Sequence, residues 1–225
     1  SDAASNFHTY SCFVGGNVRK QINTNRNANY IPVFLSEVGK VLSEGDKKVD
    51  IALLRVSPPD AHGWCSLGVS LDVTMAAIKA AKRIIVEFNS NVPRVHGDGW
   101  IHVNDIDLAV ETIEPMFTST PKVLTEQEIK IGAHIAGLIE DGSTLQMGIG
   151  GVPDAVLAQL TNHKDLGIHT EMFSDGILPL VENGVINGKY KKVLPGKITS
   201  CFALGSNRLY EFVDDNPRTV SYTHL

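Results

Sequence analysis

A glycine-rich stretch at residues 148–151 is the first segment of this sequence with groups that could do chemistry. It follows a predicted strand and precedes a predicted helix. Backbone N–H groups at such a turn lie at the positive end of the helix and suit a phosphate or a developing oxyanion. Glycines also occur at tight turns for conformational reasons alone. The stretch is therefore a candidate anion site, and packing or turn geometry remains an alternative explanation for it.

A carboxylate near the end of a strand is the second such feature. Residues 166–173 form an apolar strand pattern that carries Glu171 and runs into the turn sequence Ser-Asp-Gly. Open parallel sheets bind their ligands at the carboxyl ends of strands. Glu171 follows Gly148 by 23 residues, the length of one strand-loop-helix-strand unit, so the two should lie side by side at one sheet edge. A glutamate on a solvated turn is the alternative.

The elements that would position these groups follow an α/β pattern. Continuous apolar runs alternate with helix-period segments, as in a parallel sheet whose strands are covered on both faces. Strands are predicted at residues 30–35, 49–56 and 83–88, with a crossover helix at 71–82. Two prolines and a Ser/Thr cluster interrupt the periodicity at 114–123, which predicts a domain boundary near residue 122.

The second half repeats the pattern. Thr125 and Glu128 have the spacing of a capping box, which predicts a helix over 126–140. A strand at 143–147 should lead into the glycine stretch, and Pro153 should open a helix that ends near residue 160. Residues 196–216 predict a strand and a short helix. The sequence then ends at SYTHL, where no closing strand is expected.

Composition and motifs exclude several function classes. The net charge is −5 and Lys and Arg are scattered, so no nucleic-acid partner is expected. No apolar window spans a bilayer and the first residues do not form a secretory signal, so no membrane partner is expected and the expected compartment is the cytoplasm.

The three cysteines should be reduced, buried thiols. Histidine and cysteine spacings predict no metal site, and neither a serine-hydrolase elbow nor a P-loop is present.

Several motifs together resemble one known family, the acetyl-CoA hydrolase/transferases, which are class I coenzyme A transferases. The resemblance extends to about residue 217 and is nearest to the 4-hydroxybutyrate and butyryl-CoA:acetate CoA-transferases. The motifs that carry it are FVGG at 13–16, YIPVFLSEV at 30–38, SPPD at 57–60, GWCSLG at 63–68, PRVHGD at 93–98, QMGIGGVPDA at 146–155, GIHTEMFSDG at 167–176 and PGKI at 195–198.

That resemblance implies a fold, an activity and a site. The fold would be two related parallel-sheet α/β domains, at residues 1–122 and 123–225, with the active site between them. Both would be incomplete, because the family's opening strand and its C-terminal half have no counterpart here. Glu171 matches the catalytic glutamate, which forms a thioester with coenzyme A. The coenzyme A contact would be the segment of Gln146, Met147, Gly148, Ile149, Gly150 and Gly151.

The expected reaction moves coenzyme A from an acyl-CoA to a short-chain carboxylate, acetate with butyrate or 4-hydroxybutyrate. Coenzyme A would be a co-substrate, with no permanently bound cofactor and no metal, and the protein is expected to be a homo-oligomer.

Residues from about Val220 do not resemble the family and are suspected not to be native sequence. The alternatives are acetyl-CoA hydrolysis, or an inactive fragment that binds coenzyme A or another anion without turnover. An aldose-ketose phosphate isomerase fits the motifs less well.

Overall fold

The computed structural model describes residues 6–24, 27–45, 49–120 and 122–222. Its contacts divide the chain into two compact units, residues 1–49 and 50–225. The predicted boundary near residue 122 therefore lies inside the second unit, and the division at that point stays a prediction. An α/β fold built on parallel strands is confirmed.

The first unit pairs two short parallel strands, β1 (Thr9–Ser11) and β2 (Ala28–Tyr30), with helix α1 (Gly16–Asn23) between them in sequence. Helix α2 (Leu35–Glu44) follows. The predicted strand at 30–35 is wrong, because β2 ends at Tyr30 and α2 begins at Leu35. The ladder ends where the Ile31 N–H donates to the Ser11 carbonyl at 2.9 Å, because Ser11 is the last residue of β1.

The second unit opens with a parallel sheet in the order β3-β5-β8, formed by Ile51–Val56, Arg83–Asn89 and Leu108–Thr112. A small antiparallel pair, β4 (Trp64–Ser66) with β7 (Trp100–His102), packs beside it. Helix α3 covers only Thr74–Ala80, so the helix predicted from residue 71 starts three residues late. Asp72 has φ +29°, a left-handed conformation that an α-helix cannot contain.

Three further small parallel sheets build the rest of the second unit, in the orders β10-β9, β11-β13 and β12-β14-β6. Their interior is one cluster of buried side chains that includes Leu160, Ile168 and Phe173. The elements are β6 (His96–Gly97), α4 (Glu126–Ala136), β9 (Thr144–Leu145), α5 (Gly151–Gln159), β10 (Gly167–Ile168), β11 (Met172–Phe173), α6 (Leu178–Glu182), β12 (Ile198–Ser200), β13 (Phe202–Ala203), α7 (Asn207–Val213) and β14 (Thr219–Ser221).

The capping box is confirmed. The Thr125 hydroxyl accepts the Glu128 N–H at 3.2 Å, and the Glu128 carboxylate accepts the Thr125 N–H at 2.7 Å. Helix α4 then packs tightly on α5, since a Cβ atom on Gly132 would lie 2.6 Å from the Ala155 carbonyl carbon. This close crossing fixes α5, whose N-terminus carries the glycine stretch.

Several predicted boundaries are corrected. Helix α4 ends at Ala136 rather than at 140, and α5 begins at Gly151, which makes Pro153 its third residue. Pro153 is still tolerated there, because the first N–H groups of a helix have no partner within it. The expected absence of a closing strand is wrong, because β14 pairs with both β12 and β6.

Every helix among the described residues is too short or too polar to cross a bilayer. Those residues also form no group of three or more His, Cys, Asp or Glu side chains that could hold a metal ion. Cys65 and Cys201 are buried as predicted, whereas Cys12 is only half-buried.

Candidate active site

The glycine stretch and the strand that carries Glu171 are neighbours. Strands β9 and β10 run parallel, with Thr144 opposite Gly167 and Leu145 opposite Ile168. The ladder continues one step further, because the His169 N–H donates to the Leu145 carbonyl at 3.0 Å. The segments that follow Leu145 and His169 then leave the sheet at the same edge, which is the arrangement that the 23-residue spacing predicts.

Thr170 ties these two segments together beyond the end of the sheet. Its hydroxyl donates to the Met147 carbonyl at 2.6 Å and accepts the Met147 N–H at 2.9 Å. Thr170 is only 1% exposed. Sequence reasoning missed it, although a Thr directly before the candidate Glu was a visible signal.

Glu171 lies in a break between β10 and β11, so the single strand predicted over 166–173 is interrupted at 169–171. Its backbone is held there, because its carbonyl accepts N–H groups from Cys201 at 3.0 Å and Phe202 at 2.9 Å. Its side chain is exposed. A fixed backbone with an open carboxylate is what a nucleophile needs in order to meet a bulky substrate.

The glycine stretch forms the N-terminal approach to α5. Gly150 has φ +121° and ψ −177°, a conformation that only glycine adopts without strain. Gly148, Ile149 and Gly150 are exposed, as is Gln146, whereas Met147 and Gly151 are half-buried. The exposed backbone of this stretch is thus open to a ligand, and the first turn of α5 lies directly behind it.

One side of the stretch is acidic. A Cβ atom on Gly151 would lie 1.8 Å from a Glu128 carboxylate oxygen, so that carboxylate sits against the start of α5. A cavity of about 710 Å³ opens on this side, and Asp154 and Asp175 line it. Burial raises the pKa of the Asp154 carboxyl, and the charges of Asp175 and Glu128 raise it further. Glu171 does not line this cavity, whereas the basic residues Lys122 and Arg208 do.

Cys201 connects Glu171 to a second carboxyl group. The Cys201 thiol donates to the Glu171 carbonyl at 3.3 Å, and the Asp72 carboxylate is near enough for its charge to act on the thiol. Burial raises the pKa of this thiol to about 12, with further contributions from the negative charges of Asp72 and Glu171. Burial also raises the pKa of the Asp72 carboxyl. The sequence indicates neither residue, because an isolated cysteine predicts a packed thiol and Asp72 lies in a helical pattern.

A buried lysine side chain binds the last residue of β10, the strand that leads to Glu171. Lys191 is 4% exposed, and its ammonium donates to the Ile168 carbonyl at 2.6 Å, the Lys197 carbonyl at 2.6 Å and the Thr199 hydroxyl at 2.9 Å. Burial lowers its pKa to about 8. The pKa of His169 is lowered by its own burial and by this neighbouring charge.

The sequence model of the acetyl-CoA hydrolase/transferase N-terminal domain matches residues 1–119. The chain belongs to the acetyl-CoA hydrolase/transferase family. The family comprises enzymes, and the predicted resemblance is confirmed.

Individual members of the acetyl-CoA hydrolase/transferase family align with nearly the whole chain. The 4-hydroxybutyrate coenzyme A transferase of Clostridium kluyveri is 49% identical over 96% of this chain and 50% of its own. The succinyl-CoA:acetate/propanoyl-CoA:succinate CoA transferase of Fasciola hepatica is 47% identical over 96% of this chain and 45% of its own. A crystal structure of 4-hydroxybutyrate CoA-transferase from Porphyromonas gingivalis superposes with a TM-score of 0.85, at 36% identity, over 97% of this chain and 57% of that one. The chain spans about half the length of the curated relatives it matches.

Proposed function

We propose that the protein transfers coenzyme A between an acyl-CoA and a short-chain carboxylate, acetate with butyrate or 4-hydroxybutyrate, through a thioester on Glu171. One observation carries this proposal. The Glu171 side chain is exposed on a backbone held by Cys201 and Phe202, and the strand before it, β10, pairs with β9, the strand that leads into the glycine stretch. The printed names of the two curated relatives, both CoA transferases, support the reaction class. The proposal includes the division of the chain into related domains at 1–122 and 123–225.

The first half of the reaction loads coenzyme A onto the protein. The Glu171 carboxylate attacks the thioester carbonyl, which forms a mixed anhydride and releases the coenzyme A thiolate. The thiolate then attacks the glutamyl carbonyl of that anhydride. This step leaves glutamyl-CoA on residue 171 and frees the original acyl group as a carboxylate.

The second half reverses these steps with the acceptor. The incoming carboxylate attacks glutamyl-CoA and displaces the thiolate, and the thiolate then attacks the acyl carbonyl of the new anhydride. The products are a new acyl-CoA and the regenerated Glu171 carboxylate. Coenzyme A enters as a co-substrate, and the scheme requires no other cofactor because the thioester bond supplies the activation.

The glycine stretch has a defined role in this scheme. Each attack passes through a tetrahedral oxyanion, and backbone N–H donors aimed at that oxygen stabilise it. The N–H groups of residues 148–151 are our candidates for at least one donor. Gln146 and Met147 would extend the coenzyme A contact along the same exposed segment.

Hydrolysis is the second candidate, and the exposure of Glu171 favours it. Water that reached the glutamyl thioester would release coenzyme A without an acceptor carboxylate. The two reactions differ in one measurable respect, because only transfer makes the appearance of a new acyl-CoA depend on an added carboxylate.

Intact-mass spectrometry tests the proposal. The full-length protein is incubated with acetyl-CoA, and half is treated with borohydride, which converts a glutamyl thioester to an alcohol. We expect a coenzyme A adduct that borohydride removes, with the change mapped to the peptide that holds Glu171. Glu171→Gln should give no adduct, whereas Glu140→Gln, on an exposed residue away from the site, should react like the wild type.

Three results separate the candidates. An adduct that decays in water as fast as it does with butyrate would establish hydrolysis. A wild-type protein that binds acetyl-CoA with no adduct would establish a binding module without turnover. A normal adduct in Glu171→Gln would show that another residue is the nucleophile.

A further inference from the structure

We propose that Lys191 is a positioning residue for Glu171, and that its ammonium acts by joining the two chain segments that hold Glu171 in place. This inference rests on the proposed function, since it assigns a role within the same site. Lys191 lies on the irregular segment between α6 and β12. Glu171 itself would be the group that meets the substrate.

The Lys191 ammonium bridges two strands. It donates to the carbonyl of Ile168, the last residue of β10, at 2.6 Å and to the hydroxyl of Thr199, in the middle of β12, at 2.9 Å. Its third hydrogen bond, to the Lys197 carbonyl at 2.6 Å, ties it to the chain just before β12. An ammonium group has three donors, so all of them are used and the nitrogen has one defined place.

The two bridged segments pair with each other on the way to Glu171. His169 forms a parallel bridge with Thr199, and the Thr170 N–H donates to the Thr199 carbonyl at 3.0 Å. The Glu171 carbonyl then accepts the Cys201 N–H at 3.0 Å. The ammonium thus joins the same two segments shortly before each reaches this last contact. Loss of the ammonium would leave them free to separate at the end that precedes Glu171.

The stem of Lys191 fixes the direction from which the ammonium arrives. A Cβ atom built on Gly167 would lie 2.5 Å from the Lys191 Cγ and 3.0 Å from its Cδ, so the stem crosses β10 where that strand has no side chain. Gly167 is itself buried, and Lys191 is only 4% exposed. The side chain therefore fills a slot in the core and cannot swing out without opening it.

This ammonium is buried without a countercharge. Among the residues that the structure describes, no carboxylate forms an ion pair with Lys191. Burial lowers its pKa to about 8, which still leaves it protonated at neutral pH. Removing a charge from water is unfavourable, and an apolar side chain of similar length would fill the slot without that cost. Packing therefore does not account for the charge, whereas the directed hydrogen bonds to the segments beside Glu171 do.

Steady-state kinetics on the full-length protein test the role in positioning. Lys191→Met fills the slot but donates no hydrogen bond. It should lower kcat about tenfold while KM for the acyl-CoA stays within about twofold, because orientation rather than binding is lost. Lys192→Met, at the exposed neighbouring position, should match the wild type. A wild-type kcat in Lys191→Met, or a rise in KM alone, would overturn the proposal and leave the transferase function intact.

A double-mutant cycle tests the path through Thr199. Thr199→Val keeps the shape of the side chain but removes one acceptor, and it should lower kcat by about threefold. The double variant with Lys191→Met should be no worse than Lys191→Met alone, because both changes break the same link. Additive losses would overturn that link. If Lys191→Met does not fold, Thr199→Val alone carries the test, and a wild-type kcat in that variant overturns the proposal.

Acetylation by acetic anhydride gives a readout that needs no activity. Peptide mass spectrometry of the folded wild-type protein should show Lys192 acetylated at least about tenfold faster than Lys191, since only local opening exposes a buried amine. Equal rates at the two lysines would overturn the buried bridge. A protected Lys191 in a protein that forms no Glu171 adduct would instead overturn the proposed function, and the positioning role with it.

Discussion

The hydroxyl of Thr170 and the backbone of Met147 exchange two hydrogen bonds, at 2.6 Å and 2.9 Å, one residue before Glu171. A side chain here continues the pairing of two parallel strands after the backbone ladder has ended. The segment that precedes the glycine stretch and the segment that carries the carboxylate are thereby held as one unit. The relative position of the two halves of the candidate site depends on this buried hydroxyl.

Thr170→Val should destabilise the protein by about 1–3 kcal/mol, because it keeps the shape of the side chain but removes the buried hydroxyl that pairs with the half-buried Met147 N–H and carbonyl. The free energy of unfolding from urea denaturation measures this loss. The yield of the coenzyme A adduct should fall in the same variant, since the glycine stretch is no longer tied to the strand of Glu171.

Two other threonine variants serve as controls for that loss. Thr170→Ser retains the hydroxyl and should recover most of the stability. Thr161→Val, at an exposed position after α5, should change the free energy of unfolding by less than about 0.5 kcal/mol. Equal losses in Thr161→Val and Thr170→Val would contradict the assignment.

Gly150→Ala should cost about 1–3 kcal/mol of stability, because φ +121° with ψ −177° is accessible almost only to glycine. Space is not the reason, since no atom lies within 4 Å of a Cβ built on Gly150. The same change should reduce the rate of adduct formation by shifting the N–H groups ahead of α5. Thermal unfolding and adduct kinetics are the two measurements.

Gly148→Ala is the matched control. Its φ lies outside the left-handed range, and the nearest atom to a Cβ there is the Pro153 Cγ at 4.0 Å. It should therefore leave the unfolding temperature nearly unchanged. If the two alanine variants lose the same stability, backbone conformation at Gly150 is not the cause.

Lys191 should make stability depend on pH in a definite direction. Burial lowers the pKa of its ammonium to about 8 from 10.5, so the unfolded chain binds more protons between these values. Stability from this group therefore rises as pH increases from about 8 toward 10.5, by at most about 1.4 kcal/mol per pH unit. Urea denaturation of wild type and Lys191→Met at pH 8 and pH 10 measures it, and wild type should gain relative to the variant.

Wild type must be compared with Lys191→Met because other groups change the stability of both proteins with pH in the opposite direction. Burial raises the pKa of the Cys65 and Cys201 thiols to about 11 and about 12, so their contribution to stability falls above pH 9 in both proteins. Lys192→Met, at an exposed neighbouring position, should follow the wild type. Parallel pH curves for wild type and Lys191→Met would contradict the prediction.

The sequence predicted features that short-range chemistry determines. The capping box of Thr125 and Glu128, the strands β3 and β5 and the order of glycine stretch and Glu171 all follow from local pattern. The predicted adjacency of the two site segments also holds, because one strand-loop-helix-strand unit has little freedom in how it folds.

Features that depend on distant partners could not be predicted. The pattern at 71–82 is helical throughout, but the pairing of Leu71 with Cys201 places Asp72 in a left-handed turn before the helix. Lys191 lies in a lysine-rich stretch, a pattern typical of solvated surface. Only the folded structure shows that its side chain is buried and that its ammonium has three acceptors. The break at Glu171 likewise exists because residues 201 and 202 capture its carbonyl.

Strand β14 is the middle strand of its sheet, between β6 near residue 96 and β12 near residue 199. Strand β14 follows both of its neighbours in the sequence. More than a hundred residues must therefore be synthesised after β6 before β6 can pair with β14. Closure over such long sequence separations is slow, because the chain loses loop entropy before the contacts form. Until β14 has been synthesised, the backbone N–H and C=O groups of β6 and β12 that face it lack their partners in this sheet.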